Sequence, residues 1–159
     1  MIFAVLSAQN SDFRQFSKQR SITFTIMKSI IKTKTEKMLL TVNIVSEDIK
    51  KLEGIMKDHS VKLISAQSDD GNEQLGFLLG FGGFRKTEKE KLTVLQSCAV
   101  FSGIEGTELS AILKEMRSAG VIIDLKAVCT AYNQRWTLAE LACELEKEHN
   151  AMTGGGRGE

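Results

Sequence analysis

The stretch "MLLTVNIVSEDIKKLEGIM", residues 38–56, decides the fold, because it changes from a strand pattern to a helix pattern within a few residues. In its first part Val42 and Ile44 alternate with polar residues, which predicts a half-buried strand. Ser46 stands where an N-cap is expected, before two acidic residues that favour the positive end of a helix dipole. Apolar residues recur three and seven places after Ile49, so a helix follows the strand.

The residues that follow continue this alternation of strand and helix. "VKLISA" at 61–66 predicts a second strand, and "EQLGFLLG" at 73–80 predicts a short helix. A second half begins with "CAVF" at 98–101, a continuous apolar run typical of a strand that is covered on both faces. A helix with an apolar stripe follows, "VIIDLKAV" at 121–128 alternates again, and a last helix ends near His149.

Strand–helix–strand–helix therefore occurs twice, in residues 39–84 and 97–149, on either side of the charged linker "RKTEKEK". This order predicts an α+β or α/β fold. Right-handed crossovers would interleave the two units in a ferredoxin-like mixed four-stranded sheet with helices, and a parallel doubly wound sheet is the alternative. The matched element order indicates an internal duplication within a single globular domain, residues 38–150.

The residues outside this predicted domain differ from it in composition. Residues 1–37 contain seven Lys/Arg and only two Asp/Glu, which indicates a basic extension, disordered or read from a start codon placed too early. Residues 151–159, rich in glycine, predict a flexible tail.

Bulk properties exclude several classes of protein. The formal charge of the 159 residues is only +1, which gives no general attraction to nucleic acid or to a membrane surface. Three cysteines without metal-site spacing and two histidines are too few for an obvious zinc site, so we expect reduced thiols in a cytoplasmic protein. No apolar run approaches the roughly 18 residues of a membrane-spanning helix.

The only Tyr and the only Trp of the chain lie in "CTAYNQRWTLAEL", residues 129–141. With Thr137 as N-cap, Glu140 becomes the third helical residue, and the two form the reciprocal pair of a capping box. Trp136 and Leu141 then occupy the positions of a hydrophobic staple. These four residues are predicted to be a structural helix start.

The polar and aromatic residues before that helix are candidates for a binding site. They form a loop between the end of a strand and the start of a helix, the edge where sheets with parallel strands usually bind ligands. Free N–H groups at the helix start and a guanidinium would favour a small anion or a nucleotide. The alternative is an Asx turn with the arginine in solvent. The candidate ligand-binding residues are Tyr132, Asn133, Gln134 and Arg135.

The blocks "LGFLLGFGGF" (75–84), "AVFSGIEGTEL" (99–109) and "LKAVCTAYNQRWTLAELACELEKEH" (125–149) resemble an uncharacterised family of short bacterial proteins, the domain of unknown function DUF3783. The resemblance covers about residues 39–149, and its last block is the specific part. The proline usual in the family falls at Ala131, and this chain has no proline. The family carries no known activity, so the resemblance implies domain bounds and no chemistry. The matching positions of the last block are Leu125, Lys126, Ala127, Val128, Thr130, Asn133, Trp136, Thr137, Leu138, Glu140 and Leu141.

The glycine- and phenylalanine-rich stretch 76–84 lacks the spacing of a phosphate-binding loop or of a dinucleotide fingerprint. We expect it to be an interaction surface for a partner helix or a second copy of the chain. The residues of this predicted surface are Phe77, Phe81 and Phe84.

These patterns favour a small non-enzymatic binding or regulatory module that acts through protein contacts. No pairing of a nucleophile with a base is visible, no catalytic residue is predicted, and no cofactor or metal is predicted. Two alternatives stay open. One is an anionic-ligand or nucleotide-binding protein, or a cryptic enzyme, that uses the loop 132–135, and the other is a nucleic-acid-binding protein.

Overall fold

The computed structural model describes residues 36–154, and the structural statements below concern that part of the chain. Residues 1–35 of the predicted extension and 155–159 of the predicted tail lie outside it. The predicted order of strands and helices is confirmed, with one additional 3₁₀ turn at Asn133–Arg135. The elements are β1 (Met38–Val42), α1 (Ser46–Asp58), β2 (Lys62–Ser65), α2 (Leu75–Leu78), β3 (Cys98–Ser102), α3 (Gly106–Ser118), β4 (Leu125–Val128) and α4 (Leu138–Gly154).

The four strands form one sheet in the order β2-β1-β3-β4. β1 and β2 are parallel, β3 and β4 are parallel, and the central pair β1 and β3 is antiparallel. The predicted mixed four-stranded sheet is thus confirmed, and its antiparallel centre excludes the parallel doubly wound alternative. The two βαβ units lie side by side and do not interleave, because β1 and β3 pair with each other while β2 and β4 form the edges.

Helices cover both faces of the sheet. Side chains of α1 and α3 pack with those that point to one face, and side chains of α2 and α4 pack with those on the other. The prediction that "CAVF" is covered on both faces is confirmed, since all five residues of β3 are buried. The prediction that β1 is half-buried is wrong, because its central place in the sheet buries all five of its residues, Thr41 included. Ile44 lies beyond the strand.

The two halves repeat the same backbone features 60 residues apart. β1 and β3 have five residues each, and α1 and α3 have thirteen. A residue of positive φ follows each central strand, Asn43 (55°) and Gly103 (71°). Another follows each helix end, Ser60 (56°) and Gly120 (74°), and the predicted helix stop at Gly120 is confirmed.

The entrances of α2 and α4 meet at the middle of the fold, and they correspond at a spacing of 63 residues. Gln74 and Thr137 form an antiparallel bridge. The amide of Leu75 donates to the carbonyl of Trp136, and the amide of Leu138 donates to the carbonyl of Glu73, each at 2.9 Å. Two equivalent segments related by a twofold axis exchange hydrogen bonds in this reciprocal way, so the two halves are related by pseudo-twofold symmetry.

Some predicted boundaries move. Val45, not Ser46, is the N-cap of α1, and no side chain caps this helix. α4 continues to Gly154, beyond the predicted end near His149. Lys37 contacts the globular part, since its carbonyl accepts from the Lys62 amide at 2.9 Å and its ammonium lies 2.7 Å from Glu108.

Candidate functional site

The loop from β4 to α4 is organised around Asn133, whose side chain is fully buried. Its Oδ1 accepts from the Thr130 amide at 2.8 Å, and its Nδ2 donates to the Val128 carbonyl at 3.0 Å. The Asn133 carbonyl accepts from the Trp136 amide at 3.0 Å. An Asx turn would bond the amide two residues further on, whereas these side-chain bonds run back to residues three and five positions earlier, so the predicted Asx turn is not the one that forms. The amide that was a candidate ligand group is nevertheless engaged inside the loop.

The capping box predicted at the start of α4 is present. The Thr137 amide donates to Glu140 Oε2 at 2.8 Å, and the Glu140 amide donates to Thr137 Oγ1 at 3.2 Å. Trp136 is half-buried and packs against the core cluster that contains Leu141, as a hydrophobic staple requires.

The first amides of α4 are all bonded within the protein. Leu138 donates to the Glu73 carbonyl and Ala139 to the Gly71 carbonyl, each at 2.9 Å, while Glu140 donates to Thr137. The prediction of free N–H groups at this helix start is therefore wrong. The reason is tertiary: the segment 71–75 of the first half lies against the entrance of α4 and supplies the acceptors.

The other candidate ligand residues lie around the turn in different environments. Tyr132 is 67% exposed, and its ring meets that of Trp136 edge-on, with centroids 5.7 Å apart and an angle of 66°. Gln134 is half-buried. Arg135 is exposed, and its carbonyl accepts from Gln74 Nε2 at 2.9 Å. The loop thus presents one aromatic ring and one guanidinium to solvent.

A shallow groove of about 530 Å³ runs along one side of α4, beginning at Trp136. Lys147 and Glu144 form an ion pair at 3.0 Å within it, and the hydrogen bond that Lys147 donates to Glu144 raises the pKa of Lys147. The described residues that line it are Trp136, Glu140, Cys143, Glu144 and Lys147.

The three phenylalanines predicted as an interaction surface are each half-buried. Phe81 packs against the core cluster on the α2 and α4 face. Phe84 lies over Gly76, where an added Cβ would come within 2.5 Å of the ring. Phe77 is part of α2. An interaction role for these residues stays a prediction.

A different surface carries large apolar side chains that are mostly exposed to solvent. Val45 is 63% exposed, Leu95 83% and Ile122 82%. In the sheet, Cys98 pairs with both Val42 and Leu125, so these three residues lie side by side. Val45 follows Val42 by three residues, whereas Leu95 and Ile122 precede Cys98 and Leu125 by three residues. A chain of three residues spans at most about 10 Å, so the three side chains share one end of the sheet. We name this surface the apolar end: Val45, Leu95 and Ile122.

Asn43 holds the backbone on both sides of Leu95. Its Nδ2 donates to the Val94 carbonyl at 2.6 Å and to the Gln96 carbonyl at 3.1 Å. Val94 is buried, whereas Leu95 points to solvent between the two fixed carbonyls. Sequence reasoning missed both residues, because an asparagine after a strand and a leucine in a linker carry no pattern of their own.

Glu73 is a third residue that sequence reasoning missed. Its side chain is buried, and its Oε2 accepts from the Thr87 amide at 3.0 Å. Nearby, Asn72 Nδ2 donates to the Glu90 carbonyl at 2.5 Å. These bonds fasten the charged linker between the halves to the globular part.

The cysteines are free thiols in three environments. Burial, with smaller contributions from Asp124 and Glu146, raises the pKa of Cys98 to about 12. Burial raises the pKa of Cys129 to about 11. Cys143 is exposed in the α4 groove. Within residues 36–154, no group of three or more His, Cys, Asp or Glu side chains is arranged to hold a metal ion.

No helix among the described residues is long and apolar enough to cross a membrane. Comparison with curated proteins and with solved structures gave no match. Residues 98–152, which run from β3 into α4, match the family model described as Domain of unknown function (DUF3783), and this confirms the resemblance for the second half of the fold.

Proposed function

We propose that the protein is a non-enzymatic binding or regulatory module, and that it contacts another protein through the apolar end. The observation that supports this proposal is the exposure of three large apolar side chains at one end of the sheet. Isolated exposed apolar residues are common on protein surfaces, whereas a group of them favours an interaction site. The contact is with another protein or with a second copy of the chain.

The fixed backbone around Leu95 adds to this. Ordering a mobile loop costs free energy on binding, and a side chain held in place by its neighbours avoids that cost. Asn43 provides such a hold through its two hydrogen bonds to the carbonyls beside Leu95. A pre-positioned leucine is suited to insert into a partner's pocket.

Pseudo-symmetry supplies an internal comparison. The position equivalent to Val45, 60 residues later, is the exposed Glu105. At this position the opposite end of the sheet carries a charged side chain where this end carries an apolar one. Folding imposes the same backbone on both ends, so the difference in side chains favours an interaction role for the apolar end.

The repeated backbone also supports an internal duplication as the origin of the fold, and we propose it as such. We propose further that the protein is bacterial, by its resemblance to the family, and that it acts in the cytoplasm. The buried Cys98 thiol and the partly buried Cys129 thiol, both with raised pKa, are consistent with reduced cysteines there.

A photo-crosslinking amino acid at Val45 or Leu95 tests the contact, with the same amino acid at Glu105 as the matched control. In the producing cell, we expect a discrete adduct from positions 45 and 95 and none from position 105. The added substitution Ile122→Asp should abolish the adduct while far-UV circular dichroism stays unchanged. The purified chain, crosslinked at increasing concentration, separates a second copy from a different protein. Equal labelling at 45 and 105, or no adduct at 45 and 95, would refute the proposal.

A further inference from the structure

The edge strand β2 presents unpaired backbone groups to solvent. The amides of Lys62 and Ala66 donate to carbonyls on the β1 side, at 2.9 and 2.8 Å. Backbone groups alternate in direction along a strand, so those of Leu63 and Ser65 point away from β1. Ser65 is exposed and Leu63 is half-buried. Unpaired groups along an exposed edge favour pairing with another strand.

The opposite edge strand, β4, is closed by its own residues. The Cys129 amide donates to the β3 carbonyl of Phe101 at 2.7 Å, so the backbone groups of Val128 point away from the sheet. Asn133 Nδ2 donates to the Val128 carbonyl at 3.0 Å and occupies it. Lys126 is the other outward residue of β4, and a half-buried lysine on an edge strand opposes pairing.

The loop after β2 repeats the loop after β4 with one difference, which leaves the β2 edge open. The loops correspond at a spacing of 63 residues, so Asp70 takes the place of Asn133. Asp70 Oδ2 accepts from the Gln67 amide at 2.8 Å. Asn133 Oδ1 accepts from the Thr130 amide in the same way. An ionised carboxylate has no N–H to donate, and no residue within 36–154 donates to the Ser65 carbonyl.

We propose that β2 pairs with the β2 strand of a second copy of the chain, antiparallel and across a twofold axis, so that the two sheets become one. The charges at the ends of β2 favour this occupant. Lys62 stands at the amino end, in a loose contact of 3.8 Å with the exposed Glu36. Asp70 holds its carboxylate beside Gln67, just past the carboxyl end. Antiparallel pairing brings each lysine towards the opposite aspartate, whereas parallel pairing would bring like charges together.

The outward backbone groups define the register of this pairing. Every outward group of the strand is used when Leu63 of one copy lies opposite Ser65 of the other, because each such pair exchanges two hydrogen bonds. Ile64 then lies opposite Ile64 of the second copy. This side chain is half-buried on the α2 and α4 face, so the cross-strand contact buries more of its apolar surface. Isologous contacts of this kind are usual in twofold dimers.

This surface is an edge of the sheet, whereas the apolar end lies beyond the ends of its strands. The proposal therefore goes beyond the proposed function, and each of the two proposals holds or fails separately. Sedimentation velocity of the full-length protein, from low micromolar to submillimolar concentration, measures the association directly. We expect a reversible equilibrium between monomer and dimer, and a monomer at every concentration would overturn the proposal.

Asp70→Asn is the variant that closes the open edge. It keeps the acceptor for the Gln67 amide and adds the N–H that Asn133 uses on β4. The dimer dissociation constant should rise by about tenfold or more, because the Ser65 carbonyl is then occupied. Glu88→Gln is the control, since it removes one exposed negative charge in the linker and should leave the constant unchanged. Equal association of Asp70→Asn and the wild type would overturn the proposal.

Cysteine crosslinking tests the register. The background is Cys143→Ser, which removes the exposed native thiol. Ile64→Cys should form an intermolecular disulfide on mild oxidation, because residues opposite each other bring their Cβ atoms within the roughly 4 Å that a disulfide needs. Ser65→Cys is the matched control, since its counterpart is displaced along the pair by about 7 Å. Equal disulfide yields in the two variants, or none from Ile64→Cys, would overturn the proposal.

Amide hydrogen exchange distinguishes a second copy from other occupants of the β2 edge. Protection of the Leu63 and Ser65 amides that increases with protein concentration is expected for a second copy. Equal protection at all concentrations would mean that other residues of the same chain cover the edge. Fast exchange at all concentrations would mean that the edge stays open. Either of the last two results would overturn the proposal.

Discussion

Replacing Asn133 by alanine separates a structural role of this residue from a ligand-binding role. The substitution removes two hydrogen bonds, one from the Thr130 amide at 2.8 Å and one to the Val128 carbonyl at 3.0 Å. The side chain is fully buried, so water does not replace these bonds without rearrangement of the turn. A net hydrogen bond contributes about 1 kcal/mol, and a buried polar group left unsatisfied costs about 1–3 kcal/mol.

We therefore expect Asn133→Ala to lower the free energy of unfolding by about 2–3 kcal/mol. Urea denaturation followed by Trp136 fluorescence measures this change, because the tryptophan lies three residues from the substitution. The midpoint should fall while the dependence on urea stays constant, as expected when only stability changes.

Asn150→Ala is the matched control, because Asn150 is an exposed asparagine on α4. We expect it to change the unfolding free energy by less than about 0.5 kcal/mol. If Asn133→Ala also stays within that range, the turn does not depend on the amide. The reasoning would then be refuted, and Asn133 would become available for a ligand.

Further predictions concern stability in urea denaturation followed by far-UV circular dichroism, because Trp136→Ala removes the only tryptophan of the chain. Trp136→Ala should cost about 2 kcal/mol, less than a fully buried tryptophan, because the indole is half-buried; no loss would mean that the staple does not form. Arg135→Ala should change stability by less than about 0.5 kcal/mol, since the side chain is exposed; a larger loss would contradict this. Gly71→Ala should destabilise the protein strongly, because the backbone carbonyl oxygen of Leu92 lies too close to the position of the new Cβ. Gly54→Ala meets nothing within 4 Å and should stabilise α1 by about 0.5–1 kcal/mol. If Gly71→Ala were the more stable of the two variants, the close approach of Leu92 to Gly71 would be refuted. Above pH 9 the thiol of Cys98 ionises only in the unfolded chain, because its pKa in the folded protein is about 12. The free energy of unfolding should therefore fall by about 1.4 kcal/mol per pH unit up to that pKa, and this part of the slope should vanish in Cys98→Ala. A slope that is the same in the variant would show that the thiol is not shielded.

Features that depend on a few consecutive residues could be predicted from the sequence. The capping box is one, because Thr137 and Glu140 need only each other and a helix between them. The stop at Gly120 is another, since a positive φ after a helix requires little beyond a glycine. Both arise from chemistry within one turn of chain.

Features that depend on the place of a strand in the sheet could not be predicted in this way. Thr41 gives β1 an alternating appearance, but the residue is buried because helices cover both faces of the central strands. The acceptors for the first amides of α4 come from residues about 65 positions earlier in the chain, and no local sequence pattern predicts such distant partners. This distant supply is why the anion site predicted around Arg135 lost its main support.

The reciprocal bonds between the entrances of α2 and α4 have a consequence for how the protein holds together. The two halves relate to each other as protomers of a symmetric dimer that share one chain. The segment between them acts as a tether, and short tethers give effective concentrations of about millimolar. A contact between the halves that would be too weak to hold two separate chains together at micromolar concentration is thus nearly always formed when the halves share one chain. Cleavage within the charged linker would make stability depend on protein concentration, as it does in an obligate dimer.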